Sequence, residues 1–291
     1  MSMDSHIRGS SRVVCLLGNP VAHSISPQIH NHAFRILGLP YVYIPVAVKP
    51  SALSSVLFTL RGCGFAGANV TIPYKTRVVN YCDSLSDLSK ITETVNTLYF
   101  DEGRLCGTTT DHEGFKRALH SMGCELKNKQ VVILGNGGTA RTLSLALAME
   151  KEVTSLTIVG RNKTRILSLA SEVTEKTGFS AGACSLEESE LDDVMQQCTL
   201  LVNCTCVGMH PDVNSSPIPE KYLHKDMVVF DAIYNPLKTK LLQDAQAIGC
   251  AVQNGLRMLL FQGLASFKLW TGKDVPEEIF DISELQRLLL K

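Results

Sequence analysis

The chain has 291 residues, of which 45% are hydrophobic and 19% charged, enough for two domains with proper cores and incompatible with a disordered chain. Its 28 basic and 28 acidic side chains cancel, so no overall field recruits nucleic acid or an anionic membrane, and a small molecule is the expected partner. Ten cysteines are scattered without a Cys-x-x-Cys, a secretory signal or an apolar run of membrane-spanning length, which points to reduced thiols in the cytoplasm, with no disulfide and no metal site.

Residues 1–10 lack apolar periodicity and read as a disordered leader or an expression remnant. A buried strand is predicted over 13–17, a helix over 27–37, a strand over 41–48, a helix over 51–60 and a strand over 68–72, giving βαβαβ. A helix from Pro73 follows, then paired strands over 97–100 and 104–108 around Asp101-Glu102-Gly103, and a helix over 114–122. A second domain begins near Asn128 with strands over 131–134, 155–159, 200–203 and 227–230. After about Lys240 the chain reads as helical, and segments 255–270 and 276–290 are expected to return to the first domain. The fold class is therefore α/β with parallel sheets covered on both faces. An N-terminal α/β domain over 11–112, completed by helices in 246–291, precedes a Rossmann-like, doubly wound domain over 113–245.

Polar clusters stand at strand ends, where open α/β sheets bind ligands. In Gly18-Asn-Pro-Val-Ala-His23-Ser24-Ile-Ser26-Pro27, Pro27 suits a first helical position, making Ser26 a candidate N-cap and Ser24 a loop hydroxyl beside free N–H groups. Plain capping competes there with a polyol or carboxylate site. In Asn69-Val-Thr71-Ile-Pro73-Tyr-Lys75, the lysine falls in the first turn of the helix expected from Pro73, whose positive dipole end favours proton exchange. A snorkelling surface lysine is the competing reading. Asn96 and Asp111 end further segments; Asp111 either caps the following helix or pairs with Lys75 to handle a proton.

Gly135-Asn136-Gly137-Gly138-Thr139-Ala140 follows an apolar strand and opens a helix, the setting in which a glycine-rich turn receives a pyrophosphate. At the end of the next strand an NAD site normally carries a carboxylate, but here stands Gly160-Arg161-Asn162-Lys163-Thr164-Arg165. Three cations in five residues suit a 2′-phosphate, so NADP(H) is the expected cofactor, with Lys163 the one most easily explained as a solvated helix start.

Taken together, Ser24-x-Ser26-Pro27, Asn69-Val-Thr71-x-Pro73-x-Lys75, Val95-Asn96-Thr97, the Gly-x-Gly-Gly fingerprint, Asn203-x-Thr205-x-x-Gly208-Met209, Asp231-x-x-Tyr234-x-Pro236-x-x-Thr239 and Gly255-x-x-Met258-Leu-x-x-Gln262 resemble the shikimate dehydrogenases and their quinate/shikimate relatives. The likeness runs from about residue 13 to 270. It implies a substrate domain, an NADP domain and an active-site cleft between them, in a monomer or homodimer. It further implies that Ser24 and Ser26 bind the substrate carboxylate, that Thr71, Asn96, Asp111 and Gln262 hold ring hydroxyls, and that Tyr234 lies near substrate and nicotinamide. Lys75 and Asp111 become the catalytic pair: hydride from NADPH reaches the C3 carbonyl of 3-dehydroshikimate while the developing alkoxide takes its proton from or through Lys75. Cofactor contacts are expected from Gly135 to Ala140 and from Arg161, Asn162, Arg165, Thr205 and Met258. Without the likeness, Gln262 reads as a core amide. Three positions depart from the family pattern: Thr109 replaces an asparagine in Gly-x-Asn-Thr-Asp, Cys206 stands where Ser or Pro is common, and Gly160-Arg161-Asn162 replaces Asn-Arg-Thr. They bear on substrate orientation and cofactor strictness. A quinate or aminoshikimate dehydrogenase with relaxed cofactor use, and a non-catalytic ligand sensor, are the alternatives; retention of Lys75 and Asp111 argues against the sensor.

Overall fold

Two six-stranded sheets organise the chain, which the computed structural model describes from Ile7 to Leu290, the side chains at 188 and 190 excepted. The leader expected over 1–10 lies, for residues 1–6, outside the described residues. The chain divides into two units. Among the described residues, the first comprises 7–113 together with Leu260–Leu289, and the second comprises Gly114–Leu259.

The first unit holds β1 (Arg12–Gly18), α1 (Ser26–Ile36), β2 (Tyr41–Ala47), α2 (Leu53–Gly62), β3 (Gly67–Val70), β4 (Ser84–Leu85), α3 (Asp87–Thr92), β5 (Thr97–Asp101) and β6 (Arg104–Thr108). Its sheet runs β2-β1-β3-β5-β6-β4. The expectation of parallel sheets throughout is corrected here: β1 is parallel to β2 and β3, but β5 is antiparallel to both β3 and β6. The β5–β6 reversal has a local cause, because Glu102 and Gly103 both take positive φ, 48° and 78°, in the tight turn that folds β6 directly back on β5. Leu53, Leu57 and Leu60 recur at helical spacing and bring α2 against Cys15, Leu17, Val70 and Leu98.

No α-helix begins at Pro73. Successive turns, with Tyr74 N bonded to Thr71 O at 2.9 Å and Arg77 N to Tyr74 O at 2.9 Å, lead into a short 3-10 helix, Val78–Tyr81. The Lys75 carbonyl is taken by Val95 N at 2.8 Å instead of a helical ladder. Lys75 therefore does not stand in the first turn of an α-helix and feels no helix dipole from Pro73; a strand-end turn holds it.

Helix α4 (Asp111–His120) carries the chain into the second unit. There follow β7 (Gln130–Leu134), α5 (Gly138–Glu150), β8 (Ser155–Gly160), α6 (Lys163–Thr177), β9 (Ala181–Ser185), α7 (Glu188–Gln197), β10 (Leu200–Asn203), β11 (Val228–Asp231), α8 (Lys240–Ile248) and β12 (Ala251–Gln253). The sheet is all parallel, ordered β12-β11-β10-β7-β8-β9, so the winding direction reverses between β7 and β10. The loops after those two strands are where a doubly wound sheet takes a ligand.

Beyond Lys240 the chain is not wholly helical: β12 pairs with β11, and α8 buries Leu241, Leu242 and Ala245 in the core of the second unit. The return to the first unit accordingly occurs within α9 (Leu256–Thr271), at residue 260 rather than 246. Segment 276–290 is also not one helix. A 3-10 turn, Glu277–Ile279, stops at extended Phe280, and α10 (Ile282–Leu289) restarts with Asp281 Oδ1 accepting from Ser283 N at 2.8 Å.

Candidate functional site

In the first unit, the loop after β1 brings Ser24 and Ser26 together. Ser24 Oγ accepts from Ser26 N at 3.2 Å and donates to Ser26 Oγ at 3.1 Å. Ser26 is not the N-cap, because Ile25 holds that position and its carbonyl accepts from Ile29 N at 3.1 Å, starting the helix one residue early. The first turn of α1 has no acidic residue and no side-chain cap, and with Pro27 lacking an N–H and the Ser26 and Ile29 N–H groups already bonded, the paired hydroxyls and the Gln28 N–H are the groups left to meet an anion. Thr71 follows β3. A Cβ on Gly18 would come within 2.4 Å of the Thr71 methyl, so glycine is what lets the Thr71 side chain lie so close to the end of β1.

Lys75 Nζ donates to Asp111 Oδ2 at 2.5 Å, with side chains 15% and 5% exposed. The other carboxylate oxygen, Oδ1, accepts from Asn96 Nδ2 at 2.8 Å. Asp111 opens α4, with its side chain bonded to Lys75 and Asn96. Asn96, 2% exposed, also donates to Gln262 Oε1 at 3.0 Å and Thr110 Oγ1 at 2.9 Å, and its own oxygen accepts from Thr110 N at 2.9 Å and Thr97 Oγ1 at 2.8 Å. One amide thus ties the proton couple to Gln262, whose side chain is half-buried on α9 rather than enclosed in the core. A carboxylate and an amine in contact, held off bulk water, can pass a proton to a nearby oxygen.

Sequence reasoning missed the layer beneath. Ser266, one turn after Gln262 and fully buried, sits among Thr97 Oγ1 at 2.7 Å, Asn69 Nδ2 at 3.0 Å, Thr110 Oγ1 at 3.3 Å and Gln262 O at 2.9 Å. The i, i+4 spacing of Gln262 and Ser266 was the available signal. His30 was missed as well: it is 1% exposed, stacks on Tyr43 at 4.4 Å and meets Trp270 edge-on at 5.2 Å, and burial pushes its pKa down to about 3. Thr109, 7% exposed, has no hydrogen-bond partner for its hydroxyl among the described residues.

In the second unit, Gly135 has φ +106° and follows β7, a conformation that requires glycine. A Cβ there would lie 3.0 Å from Thr205 Cγ2, so the loop after β10 packs over the glycine turn. Gly137 is the N-cap of α5, offers no side-chain cap, and has open space where a Cβ would be. The helix N–H groups from Gly138, Thr139 and Ala140, beside Asn136, are therefore free for a pyrophosphate. Arg161 and Arg165 are exposed and form no ion pair among the described residues. Asn162 Oδ1 caps α6 through Arg165 N at 3.0 Å, leaving its amide N–H groups. These groups fit a dinucleotide with a 2′-phosphate.

Asn203 connects the remaining parts. Its Oδ1 accepts from Thr205 N at 3.0 Å and Thr205 Oγ1 at 2.8 Å, while Nδ2 donates to Asp231 Oδ1 at 3.0 Å. Asp231 also accepts from Ile233 N at 3.0 Å and Thr239 Oγ1 at 2.7 Å, fixing the loop that carries half-buried Tyr234. Burial raises the Asp231 pKa to about 6 against these bonds, which lower it. Met258 is 6% exposed on α9, and Cys206 is exposed after β10.

Three family models match the chain: the shikimate dehydrogenase substrate binding domain over residues 16–98, shikimate / quinate 5-dehydrogenase over 116–233, and the shikimate 5'-dehydrogenase C-terminal domain over 255–280. A shikimate dehydrogenase (NADP(+)) of Methanopyrus kandleri is 38% identical over 290 residues, covering 99% of this chain and 100% of the relative. Shikimate 5-dehydrogenase of Thermus thermophilus, solved with NADP(H) and shikimate, superposes with a TM-score of 0.82 at 35% identity, covering 96% of this chain and 98% of that one. The Listeria monocytogenes enzyme, solved with shikimate and NAD, gives 0.87 at 32% identity, covering 96% and 97%. With both folds, the paired serines, the lysine–aspartate couple and the open glycine turn all present, the chain belongs to the shikimate dehydrogenase family.

Proposed function

We infer that the chain is an NADP(H)-dependent shikimate dehydrogenase, an oxidoreductase that interconverts shikimate and 3-dehydroshikimate in aromatic amino-acid biosynthesis. The observation that carries the chemistry is the Lys75–Asp111 couple, braced through Asn96 to Gln262. When bound, the nicotinamide supplies or takes up the hydride at the carbon that bears the reacting oxygen.

The chain's own residues do the rest. Ser24 and Ser26, at the uncapped start of α1, hold the substrate carboxylate. Thr71, Asn96, Asp111 and Gln262 hold ring hydroxyls, and Tyr234 adds a contact to substrate. Lys75 gives its proton to the oxygen as a carbonyl becomes a hydroxyl, and takes it back in the reverse direction; Asp111 orients and electrostatically supports the lysine. The turn Gly135 to Ala140 receives the pyrophosphate, Arg161 and Arg165 with Asn162 recognise the 2′-phosphate, and Thr205 and Met258 contact the cofactor. Ten free cysteines support a cytoplasmic setting.

The test is product identification. Purified protein given 3-dehydroshikimate and NADPH is expected to yield shikimate by NMR, with stoichiometric loss of NADPH absorbance. Unchanged 3-dehydroshikimate under these conditions would refute the assignment.

A further inference from the structure

The hydroxyl of Ser266 has no access to solvent, yet it sits on a hydrogen-bond path that ends at the Asp111 carboxylate. The Asp111 carboxylate only accepts, so Asn96 must turn its amide nitrogen toward it and its oxygen the other way. That oxygen takes the single hydroxyl proton of Thr97 at 2.8 Å. Either hydroxyl can donate in the 2.7 Å contact between Thr97 and Ser266, and with the Thr97 proton on Asn96 the donor is Ser266. The Gln262 carbonyl, the competing acceptor for Ser266, also lies 2.9 Å from the Thr110 hydroxyl, which can satisfy it. Behind Ser266, Asn69 Nδ2 donates to its oxygen at 3.0 Å, and Tyr43 Oη donates to Asn69 Oδ1 at 2.8 Å.

We propose that Ser266 is a positioning residue for the proton couple, the link in a one-way donor chain Tyr43→Asn69→Ser266→Thr97→Asn96→Asp111 that fixes the Asn96 amide and so the Asp111 carboxylate. Each donor polarises the next, so the chain strengthens the last bond and restricts the carboxylate to the orientation that faces Lys75. Because the Asn96 amide also holds Gln262, one hydroxyl sets the acid–base couple and a substrate-facing amide in register. The proposal rests on the dehydrogenase function inferred above.

The test is initial-rate kinetics of shikimate oxidation by NADP+ for wild type, Ser266→Ala, Thr97→Val and Asp111→Asn, with Ser266→Ala also placed in the other two backgrounds. Ser266→Ala and Thr97→Val are each expected to lower kcat about tenfold with the shikimate KM changed by less than about threefold. In the Asp111→Asn background Ser266→Ala is expected to add less than about twofold, since the path then ends on a group that no longer needs orienting. NADP+ affinity should stay at the wild-type value, and both single variants should still unfold cooperatively, with a thermal midpoint lowered by a few degrees. Unchanged kcat, a fully additive loss in the Asp111→Asn background, or a loss of rate that follows a loss of cooperative unfolding in both single variants would each overturn the proposal while leaving the function intact. A wild-type protein inactive toward shikimate would instead overturn the functional reading, and the proposal with it.

Discussion

Lys75 Nζ stands 2.5 Å from Asp111 Oδ2, and the opposite oxygen of that carboxylate is held by Asn96 at 2.8 Å. On the function proposed above, a carboxylate held on both oxygens is the orienting group and the lysine the member of the pair that moves a proton. Lys75→Ala should therefore lower kcat on the order of 10²-fold or more while shifting the shikimate KM far less, because proton transfer matters mainly in the transition state. Steady-state kinetics check this, and near-normal turnover would remove Lys75 from the mechanism.

Nothing lies within 4 Å of the point where a Cβ on Gly137 would stand, so Gly137→Ala should fold like wild type. The new methyl would occupy the N-cap of α5, in the space assigned to the pyrophosphate. NADP+ affinity by fluorescence titration should weaken about tenfold or more, with unchanged thermal unfolding. Wild-type affinity would move the pyrophosphate elsewhere.

Exposed Arg161 and Arg165 serve no ion pair among the described residues, so their loss should cost little stability. The double variant Arg161→Ala/Arg165→Ala should lower kcat/KM for NADP+ about 10²-fold and leave that for NAD+ within about threefold. Equal losses with both cofactors would mean that these side chains do not read the 2′-phosphate.

His30 is buried with its pKa pushed from 6.5 to about 3 by desolvation, so the unfolded chain binds a proton there that the native chain does not. That contribution to stability is present above pH 6.5 and is lost progressively as pH falls toward about 3, at up to about 1.4 kcal/mol per pH unit. Asp231 works in the opposite sense: its native pKa of about 6 exceeds its ordinary 3.8, so the native state gains stability as pH falls through that window. Urea unfolding of wild type and His30→Phe between pH 7.5 and about 4.5 separates the two. As pH falls below 6.5 the variant should lose less stability than wild type, or gain some through Asp231, and identical limbs would mean that His30 does not carry the proton uptake.

Thr109 buries a hydroxyl that no protein group satisfies among the described residues. Thr109→Val should be neutral or stabilising by up to about 1 kcal/mol in denaturant unfolding, since an unpaired polar group is removed at nearly constant shape. A destabilisation of about 2 kcal/mol would show that the hydroxyl is satisfied, for instance by bound water.

Legibility in the sequence followed the range of the interactions. The strand–Gly135–helix unit and the cations after β8 were readable because each is made within a few residues. The identities of Lys75 and Asp111 were readable, but their contact spans 36 positions and local rules favoured a helix cap for Asp111. Pro73 looked like a helix start, although Tyr74 is buried and the Lys75 carbonyl pairs with Val95, which ends any helix there. Short strands such as β12, with a single strongly apolar residue in three, give too little alternation to be seen. Ser266 was hidden because a serine on an apolar helix is locally unremarked until its partners on β3 and β5 are known.

The most direct measurement is an initial-rate assay of the purified protein with shikimate or quinate crossed with NADP+ or NAD+, run beside Lys75→Ala. Shikimate with NADP+ is expected to be the fastest combination, and its rate to collapse in the variant. Quinate or NAD+ preferred by the wild type, or wild-type rates in Lys75→Ala, would contradict it.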